Sequence, residues 1–187
     1  MDALGLRRPV LVGWSYGGRV MGDYLAEHGP GALGAMNWVA ATSSTAATSR
    51  FGRGGRHNGP DASGSADPAT AIRSTVAFLR DCFETQPSAT EFETMLAFNM
   101  MVPRHVRLSL AGRPMDIGAK LRALSLPVLV THGEYDKLVD PSMGRYTAET
   151  VPGARLSLYR NVGHAPFWED APRFNSELAE LARSAAR

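Results

Sequence analysis

The sequence predicts an α/β fold in which a parallel sheet has helices on both faces and carries a helical cap insertion. First, a short apolar run, Pro9 to Val12, passes through Gly13-Trp-Ser-Tyr-Gly17 directly into an amphipathic stretch, which indicates a strand turning into a helix. Second, strand and helix patterns alternate along the chain, as in parallel strands joined by crossover helices. Third, consecutive helical patterns between residues 67 and 111 interrupt this alternation.

Length and composition predict one soluble globular domain, with 187 residues, 44% hydrophobic and 20% charged. The net charge of +2, without a dense basic cluster, gives no indication of a nucleic acid or a membrane as partner. No apolar run approaches the roughly 20 residues of a membrane span, and the first residues lack a signal core. The single cysteine, Cys82, suits a reducing compartment. We therefore expect a cytoplasmic protein, whose oligomeric state stays open.

The first part of the sheet is predicted from residues 10–14 and 35–41, both apolar runs typical of buried strands. Residues 16–28 form the helical pattern between them, and Gly29-Pro-Gly31 ends it. Residues 2–8 resemble the last turn of a helix and a connector. The expected apolar face of the helix consists of Val20, Met21, Tyr24 and Leu25.

The middle of the chain is predicted to be a long irregular loop, 42–68, followed by the helices of the cap. Asp67-Pro68 can start the first helix, and Ser88 to Glu91 is a capping box for the second. A third, short helix is expected over 104–111. The predicted apolar face of the first helix is Ile72, Val76, Leu79 and Phe83. Met95, Phe98, Met100 and Met101 could line a pocket, or they could pack the cap on the main domain. Beside that face, Cys82 is interpreted as a buried structural thiol.

The last part of the chain returns to the alternating pattern, which divides the sequence into segments 1–41, 42–114 and 115–187. These are the first part of the core with the serine turn, the flexible loop with the cap, and the last part of the core. The predicted elements are a helix over 115–124, a strand over 127–132, a helix from Asp140-Pro141 to about 150, an edge strand over 154–159, a loop over 161–168 and a final helix starting at Ala171-Pro172.

Ser15 lies in a G-x-S-x-G pattern between a strand and a helix, which is typical of a nucleophile elbow. In such a turn the serine has a strained backbone, and its hydroxyl stands out above the sheet edge. We expect Gly13 and Gly17 to permit the close approach of strand and helix. The backbone N–H of Tyr16 then lies where an oxyanion would form.

A serine hydroxyl needs a base, and the base needs an orienting acid. Two loops that follow strands supply candidates: Asp136 after the third strand and His164 after the fourth. Gly163 is expected to help aim the histidine ring. Asp140 is better explained as a helix cap, Glu134 as exposed and His132 as a packed residue. The remaining histidines, His28, His57 and His105, are interpreted as structural or exposed.

Three stretches resemble the α/β-hydrolase fold family of serine hydrolases, namely residues 10–18, 132–141 and 162–169. The resemblance implies a partial α/β-hydrolase fold with Ser15 as nucleophile, His164 as base and Asp136 as acid. It implies hydrolysis of a carboxylic ester or related acyl substrate through an acyl-enzyme, without cofactor or metal. A serine at position 15 is unlike the dehalogenase and epoxide hydrolase branches, which use aspartate there.

The resemblance leaves two alternatives open. Trp14, Phe167 and Trp168 are expected to bind substrate. Together with Tyr16 they also fit a cofactor-free haloperoxidase or perhydrolase on the same triad, although aromatic residues there could equally be ordinary packing. In addition, the family has about four strands before the elbow strand and a second oxyanion donor among them, which this sequence lacks. The chain could therefore be an inactive truncated fragment.

Overall fold

The computed structural model describes residues 2–44, 63–110 and 115–185. Within these ranges, four parallel strands form one sheet in the order β1-β2-β3-β4. Their bounds are Val10–Trp14 (β1), Ala35–Val39 (β2), Val128–Gly133 (β3) and Arg155–Tyr159 (β4). The α/β fold predicted from the sequence is thereby confirmed. Most of the loop predicted over 42–68 lies outside the described residues.

Eight α-helices surround this sheet in the described parts of the chain. Their bounds are Gly17–His28 (α1), Pro68–Asp81 (α2), Ala89–Met100 (α3), Arg104–Leu110 (α4), Gly118–Arg122 (α5), Pro141–Thr150 (α6), Pro166–Glu169 (α7) and Ala171–Ala185 (α8). A short 3-10 turn, Asp2–Leu4, precedes β1. None of the helices described is long and apolar enough to cross a membrane.

The sheet buries apolar side chains on both of its faces, because successive side chains of a strand point in opposite directions. On one face, Met36 and Trp38 of β2 lie in a core cluster with Met21 and Leu25 of α1. On the other face, Ala35 and Leu129 form a cluster with Leu181 and Ala185 of α8. Helices therefore cover both faces, as the sequence predicts.

The two edges of the sheet differ in how they are covered. At β1, Val12 and Trp14 remain 41% and 39% exposed. At β4, the guanidinium of Arg173 donates to Ser157 Oγ at 2.8 Å and to the Leu158 carbonyl at 3.2 Å. It also stacks 3.9 Å from the Tyr159 ring centre. The β4 edge is thus masked by a side chain, which is one way in which proteins protect an open strand.

Helix starts follow the capping signals read from the sequence. The Asp67 carboxylate accepts from the N–H groups of Ala69 and Thr70, and Asp140 accepts from Ser142. At Ser88 both halves of the capping box are present. Such caps satisfy N–H groups that have no partner within the helix.

Four details of the sequence prediction are wrong. Ile72 is 42% exposed and Val20 59% exposed, because the buried faces of α2 and α1 are rotated toward small residues. The buried residues of α2 are Ala71, Thr75 and Leu79, and those of α1 are Gly18, Met21, Gly22 and Leu25.

The other two errors concern the bounds of elements. The helix expected over 115–124 has five residues, because Asp116 instead pairs with Ser44 in an isolated bridge. The loop expected over 161–168 contains the start of α7.

The turn from β1 to α1 depends on glycine at two positions, but one of them differs from the expectation. A Cβ added to Gly13 would lie 2.7 Å from the Gly17 carbonyl oxygen, and one added to Gly18 would lie 2.6 Å from that of Thr42. A Cβ on Gly17 would meet nothing within 4 Å. Close approach therefore requires Gly13 and Gly18, whereas Gly17 is not constrained by space.

We predict that G13A lowers the free energy of unfolding by about 1–3 kcal/mol, because the added methyl group overpacks the contact between β1 and α1. The matched control is G17A, which we expect to be neutral or stabilising by up to about 1 kcal/mol, since it reduces the entropy of the unfolded chain. Urea unfolding of both variants measures the difference. Equal destabilisation by the two substitutions would contradict this account.

Candidate active site

Ser15 occupies the sharp turn between β1 and α1. Its φ of +52° lies in the left-handed region, which non-glycine residues rarely adopt. The strain is held in place because the Ser15 N–H donates to the Val39 carbonyl at 3.0 Å and the Ser15 carbonyl accepts from Gly18 at 3.0 Å. The strained serine expected from the sequence pattern is therefore present, and Ser15 lines a cavity of about 650 Å³.

Asp136 and His164 form a buried pair beyond the ends of β3 and β4. His164 Nδ1 lies 2.7 Å from Asp136 Oδ2, and both side chains are fully buried. Because a carboxylate oxygen only accepts, Nδ1 carries the proton, and in the neutral ring Nε2 is left as an acceptor. The structure thus brings together two of the three residues singled out in the sequence.

Four donors surround the Asp136 carboxylate. Oδ1 accepts from the backbone N–H groups of Leu138 and Val139, at 2.8 and 2.9 Å. Oδ2 accepts from His164 and lies 3.1 Å from His132 Nε2. Burial by itself would raise the pKa of Asp136, but the hydrogen bonds from the two histidines outweigh it and hold that pKa well below its ordinary value. The carboxylate is therefore ionised at neutral pH.

His132 is a second histidine partner of the Asp136 carboxylate. From the sequence it was expected only to be a packed residue. Its Nε2 faces two acceptors, Asp136 Oδ2 at 3.1 Å and the Val139 carbonyl at 2.9 Å, so Nε2 carries the proton. Its Nδ1 has no hydrogen-bond partner among the described residues and packs against Gly144. The spacing of four between His132 and Asp136 is the sequence signal that could have indicated this pair.

His164 Nε2 is buried and has no hydrogen-bond partner within the described part of the chain. Consequently the Ser15 hydroxyl does not donate to it in this conformation. The two residues are nevertheless connected through Trp14, the neighbour of Ser15. Its indole N–H donates to the His164 carbonyl at 2.7 Å, and the two rings lie 5.4 Å apart. Catalytic hydrogen bonds in unliganded enzymes are often long and form only with substrate.

Glu169 fastens the loop that carries His164 (the histidine loop) to the segment between α2 and α3, at the base of the cap. The Glu169 carboxylate accepts from Gly163 at 2.8 Å, from Glu84 at 2.9 Å and from Thr85 at 2.8 Å. The His164 N–H donates to the Cys82 carbonyl at 3.0 Å. No pattern in the sequence pointed to Glu169, since two of its three partners, Glu84 and Thr85, lie about 85 positions away.

Gly163 does not act as the sequence analysis expected. It has no positive φ, so unusual backbone freedom is not needed there. A Cβ at this position would instead lie 2.9 Å from the Glu84 nitrogen and 3.2 Å from the Cys82 carbonyl oxygen. Glycine is required because the histidine loop passes close to the backbone of the cap.

The cavity lies between the elbow, the histidine loop and helices α2 and α3. The three aromatic residues expected at the site, Trp14, Phe167 and Trp168, all line it. Met95 and Phe98 line it too, whereas Met100 does not and Met101 is 80% exposed. The remaining lining from α2, α3 and the segment between them mixes apolar and polar side chains: Phe78, Leu79, Cys82, Phe83, Thr90, Glu91, Thr94 and Asn99.

The remaining candidates lie where the sequence analysis expected, as far as they are described. Burial raises the pKa of the Cys82 thiol to about 12, so it stays protonated and acts as a packed side chain. Glu134, His28 and His105 are exposed. His57 lies outside the described residues. Tyr16 precedes the first residue of α1, next to Ser15.

The chain belongs to the alpha/beta hydrolase family, whose model matches residues 1–177. The crystal structure of an esterase, RhEst1 from Rhodococcus sp. ECU1013, superposes with a TM-score of 0.88 and is 35% identical. The match covers 98% of this chain and 68% of that one.

Two curated relatives extend this comparison. A 2-hydroxy-6-oxononadienedioate/2-hydroxy-6-oxononatrienedioate hydrolase of Pseudomonas putida is 33% identical over 92 residues, 45% of this chain and 32% of its own length. The non-heme chloroperoxidase CPO-A1 of Kitasatospora aureofaciens is 28% identical over 193 residues, covering 95% of this chain and 69% of that protein. The chain thus spans about a third of the first relative's length and about two thirds of the others.

We predict that E169A lowers the free energy of unfolding by about 1–3 kcal/mol, because three backbone N–H groups lose a charged acceptor. The matched control is E134A in the loop after β3 that carries Asp136 (the acid loop). The Glu134 side chain is exposed, and we expect a change within about 0.5 kcal/mol. Thermal and urea unfolding report both changes. If E169A is as mild as E134A, Glu169 does not fasten the loop to the cap.

Proposed function

We propose that this chain is a serine hydrolase that cleaves a carboxylic ester or a related acyl substrate. The observation that carries the proposal is the buried Asp136–His164 pair, which leaves Nε2 as an unpartnered acceptor. Ser15, in its strained turn, lines the adjoining cavity and is linked to His164 through Trp14. The family membership and the esterase neighbour support the same reaction class.

In the proposed reaction, rotation of the Ser15 side chain brings its hydroxyl within reach of His164 Nε2. The Ser15 oxygen attacks the ester carbonyl carbon while Nε2 takes the hydroxyl proton, and Asp136 stabilises the imidazolium. The carbonyl oxygen becomes an oxyanion, for which the Tyr16 N–H is the proposed donor. The C–O bond to the alcohol then breaks, and the imidazolium returns its proton to the departing oxygen.

Water completes the proposed cycle by hydrolysing the acyl-enzyme. His164 Nε2 takes a proton from the water as its oxygen attacks the acyl carbon, and a second oxyanion forms at the same place. When the bond to Ser15 breaks, the proton returns to the serine oxygen. The products are the carboxylic acid and the restored enzyme, so no external cofactor takes part in this scheme.

The lining of the cavity favours a neutral, apolar acyl group. Aromatic and aliphatic side chains dominate it, and the described lining contains no lysine or arginine. Its one acidic residue, Glu91, is engaged with Ser88 at the start of α3. A substrate carboxylate entering such a cavity would lose hydration without gaining a cationic partner. We therefore infer a substrate unlike the dicarboxylate named for the relative from Pseudomonas putida.

A second candidate function is cofactor-free perhydrolysis or halide oxidation on the same three residues. It is favoured by the relative from Kitasatospora aureofaciens and by the aromatic wall of Trp14, Phe167 and Trp168. Comparing peroxide-dependent bromination with p-nitrophenyl acetate hydrolysis separates the two functions. The cytoplasmic location, the three-segment division and the alternative of an inactive fragment stay predictions.

We predict that the chain prefers p-nitrophenyl heptanoate over the mono-p-nitrophenyl ester of adipic acid by about tenfold or more in kcat/KM, because the adipate carboxylate must be desolvated in an apolar cavity. The two acyl chains have similar lengths, so each substrate controls for the size of the other. A preference for the adipate ester would contradict the inferred substrate class while leaving the hydrolase proposal intact.

We predict that a fluorophosphonate probe labels the folded chain and that S15A abolishes labelling, because Ser15 is the proposed nucleophile. D136N should slow turnover by about 10⁴-fold, since the orienting acid is lost. The control is S142A, which removes a buried hydroxyl outside the cavity and should still be labelled. Labelling of S15A, or a folded chain that is never labelled, would overturn the proposal.

A further inference from the structure

Trp14, the variable residue between Gly13 and Ser15 in the elbow pattern, makes a contact that lining a cavity does not require. Its indole N–H donates to the His164 backbone carbonyl at 2.7 Å, between residues 150 positions apart in the chain. Its ring also meets the edge of Phe167, with ring centres 5.0 Å apart at 81°. Trp14 therefore contacts the histidine loop at its carbonyl, at its imidazole and at the start of α7.

The His164 residue is held at three points. Asp136 binds Nδ1 at 2.7 Å, the Cys82 carbonyl accepts from the backbone N–H at 3.0 Å, and Trp14 donates to the backbone carbonyl. The first contact connects the histidine to the acid loop and the second to the cap. The third connects it to β1, the strand that ends beside Ser15.

This third contact bears on the separation of nucleophile and base. Trp14 and Ser15 are joined by one peptide bond, so a bond from Trp14 to the histidine loop limits how far the loop can move from the serine. The serine strand is also connected to the histidine through the pairing of β1, β2, β3 and β4. A misplacement of about 1 Å at such a site can cost two orders of magnitude in rate.

We propose that Trp14 is a positioning residue: through the hydrogen bond from its indole to the His164 carbonyl, it holds the histidine loop against the strand that carries Ser15. Its role in catalysis depends on the proposed hydrolase function. Trp14 lines the cavity, as expected from the sequence, and the proposed positioning role is additional. One edge of its ring faces the histidine loop, while 39% of the residue stays exposed.

The test uses W14F in the full 187-residue chain, since phenylalanine keeps an aromatic ring and removes the N–H donor. We expect the rate of labelling by a small fluorophosphonate to fall about five- to tenfold, the equivalent of one lost hydrogen bond. The matched control is W168F, which changes another tryptophan of the same cavity that lies beside Phe83. We expect W168F to alter KM for a p-nitrophenyl ester.

A second readout does not depend on hydrolysis. The His164 Nδ1 proton, identified in NMR spectra by its loss in D136N, should shift or broaden in W14F and stay in place in W168F. In the unmodified chain the Trp14 indole proton should exchange with solvent about tenfold or more slowly than that of Trp168, which measures the bond without any substitution at Trp14.

The outcomes separate the two proposals. Slower labelling of W14F with a perturbed His164 proton supports the positioning role. Unchanged labelling and an unchanged His164 proton, with only KM altered, overturn it, as does rapid exchange of the Trp14 indole proton. If the folded chain is not labelled at all, the hydrolase proposal fails, and the His164 and indole protons still decide whether Trp14 positions the loop.

Discussion

The hydrogen bond between Asp136 Oδ2 and His164 Nδ1, 2.7 Å long and fully buried, is the interaction on which the site depends. An ionised carboxylate is costly to bury unless every lone pair finds a donor. Leu138 and Val139 supply two backbone donors. His132 supplies a third from its Nε2, while its Nδ1 packs against Gly144. The end of β3 and the turn after it are therefore built around one negative charge, which in turn fixes the tautomer of His164.

The histidine loop is the place where the core and the cap meet. Glu169 and the Cys82 carbonyl attach the loop to the base of the cap, and Trp14 attaches it to the elbow strand. Lys137 and Glu84 add a contact between the acid loop and the cap, 3.0 Å long and largely exposed, which contributes little free energy by itself. Because these anchors also frame the cavity, the shape of the proposed substrate site and the position of the proposed base are set by the same contacts.

Local signals predicted most of the fold and supplied the candidate residues of the site. Short patterns predicted the strained Ser15 turn, the helix caps at Asp67, Ser88 and Asp140, and the four parallel strands of the described residues. Their physics acts within a few residues, so neighbours in sequence suffice to indicate them. The errors arose where packing overrides periodicity: Ile72 and Val20 are exposed, whereas small residues of α2 and α1 such as Ala71 and Gly18 are buried.

By itself, the sequence determined that a serine, an acid and a histidine follow strands of one parallel sheet, because strand order and capping chemistry are local. Only the tertiary structure decided which atoms meet: the second histidine on Asp136, the three N–H groups on Glu169 and the indole of Trp14 on the His164 carbonyl. Apart from the His132–Asp136 and Gly163–Glu169 pairs, these contacts join residues far apart in the chain. Their geometry depends on how loops pack across the sheet edge, which no local pattern encodes.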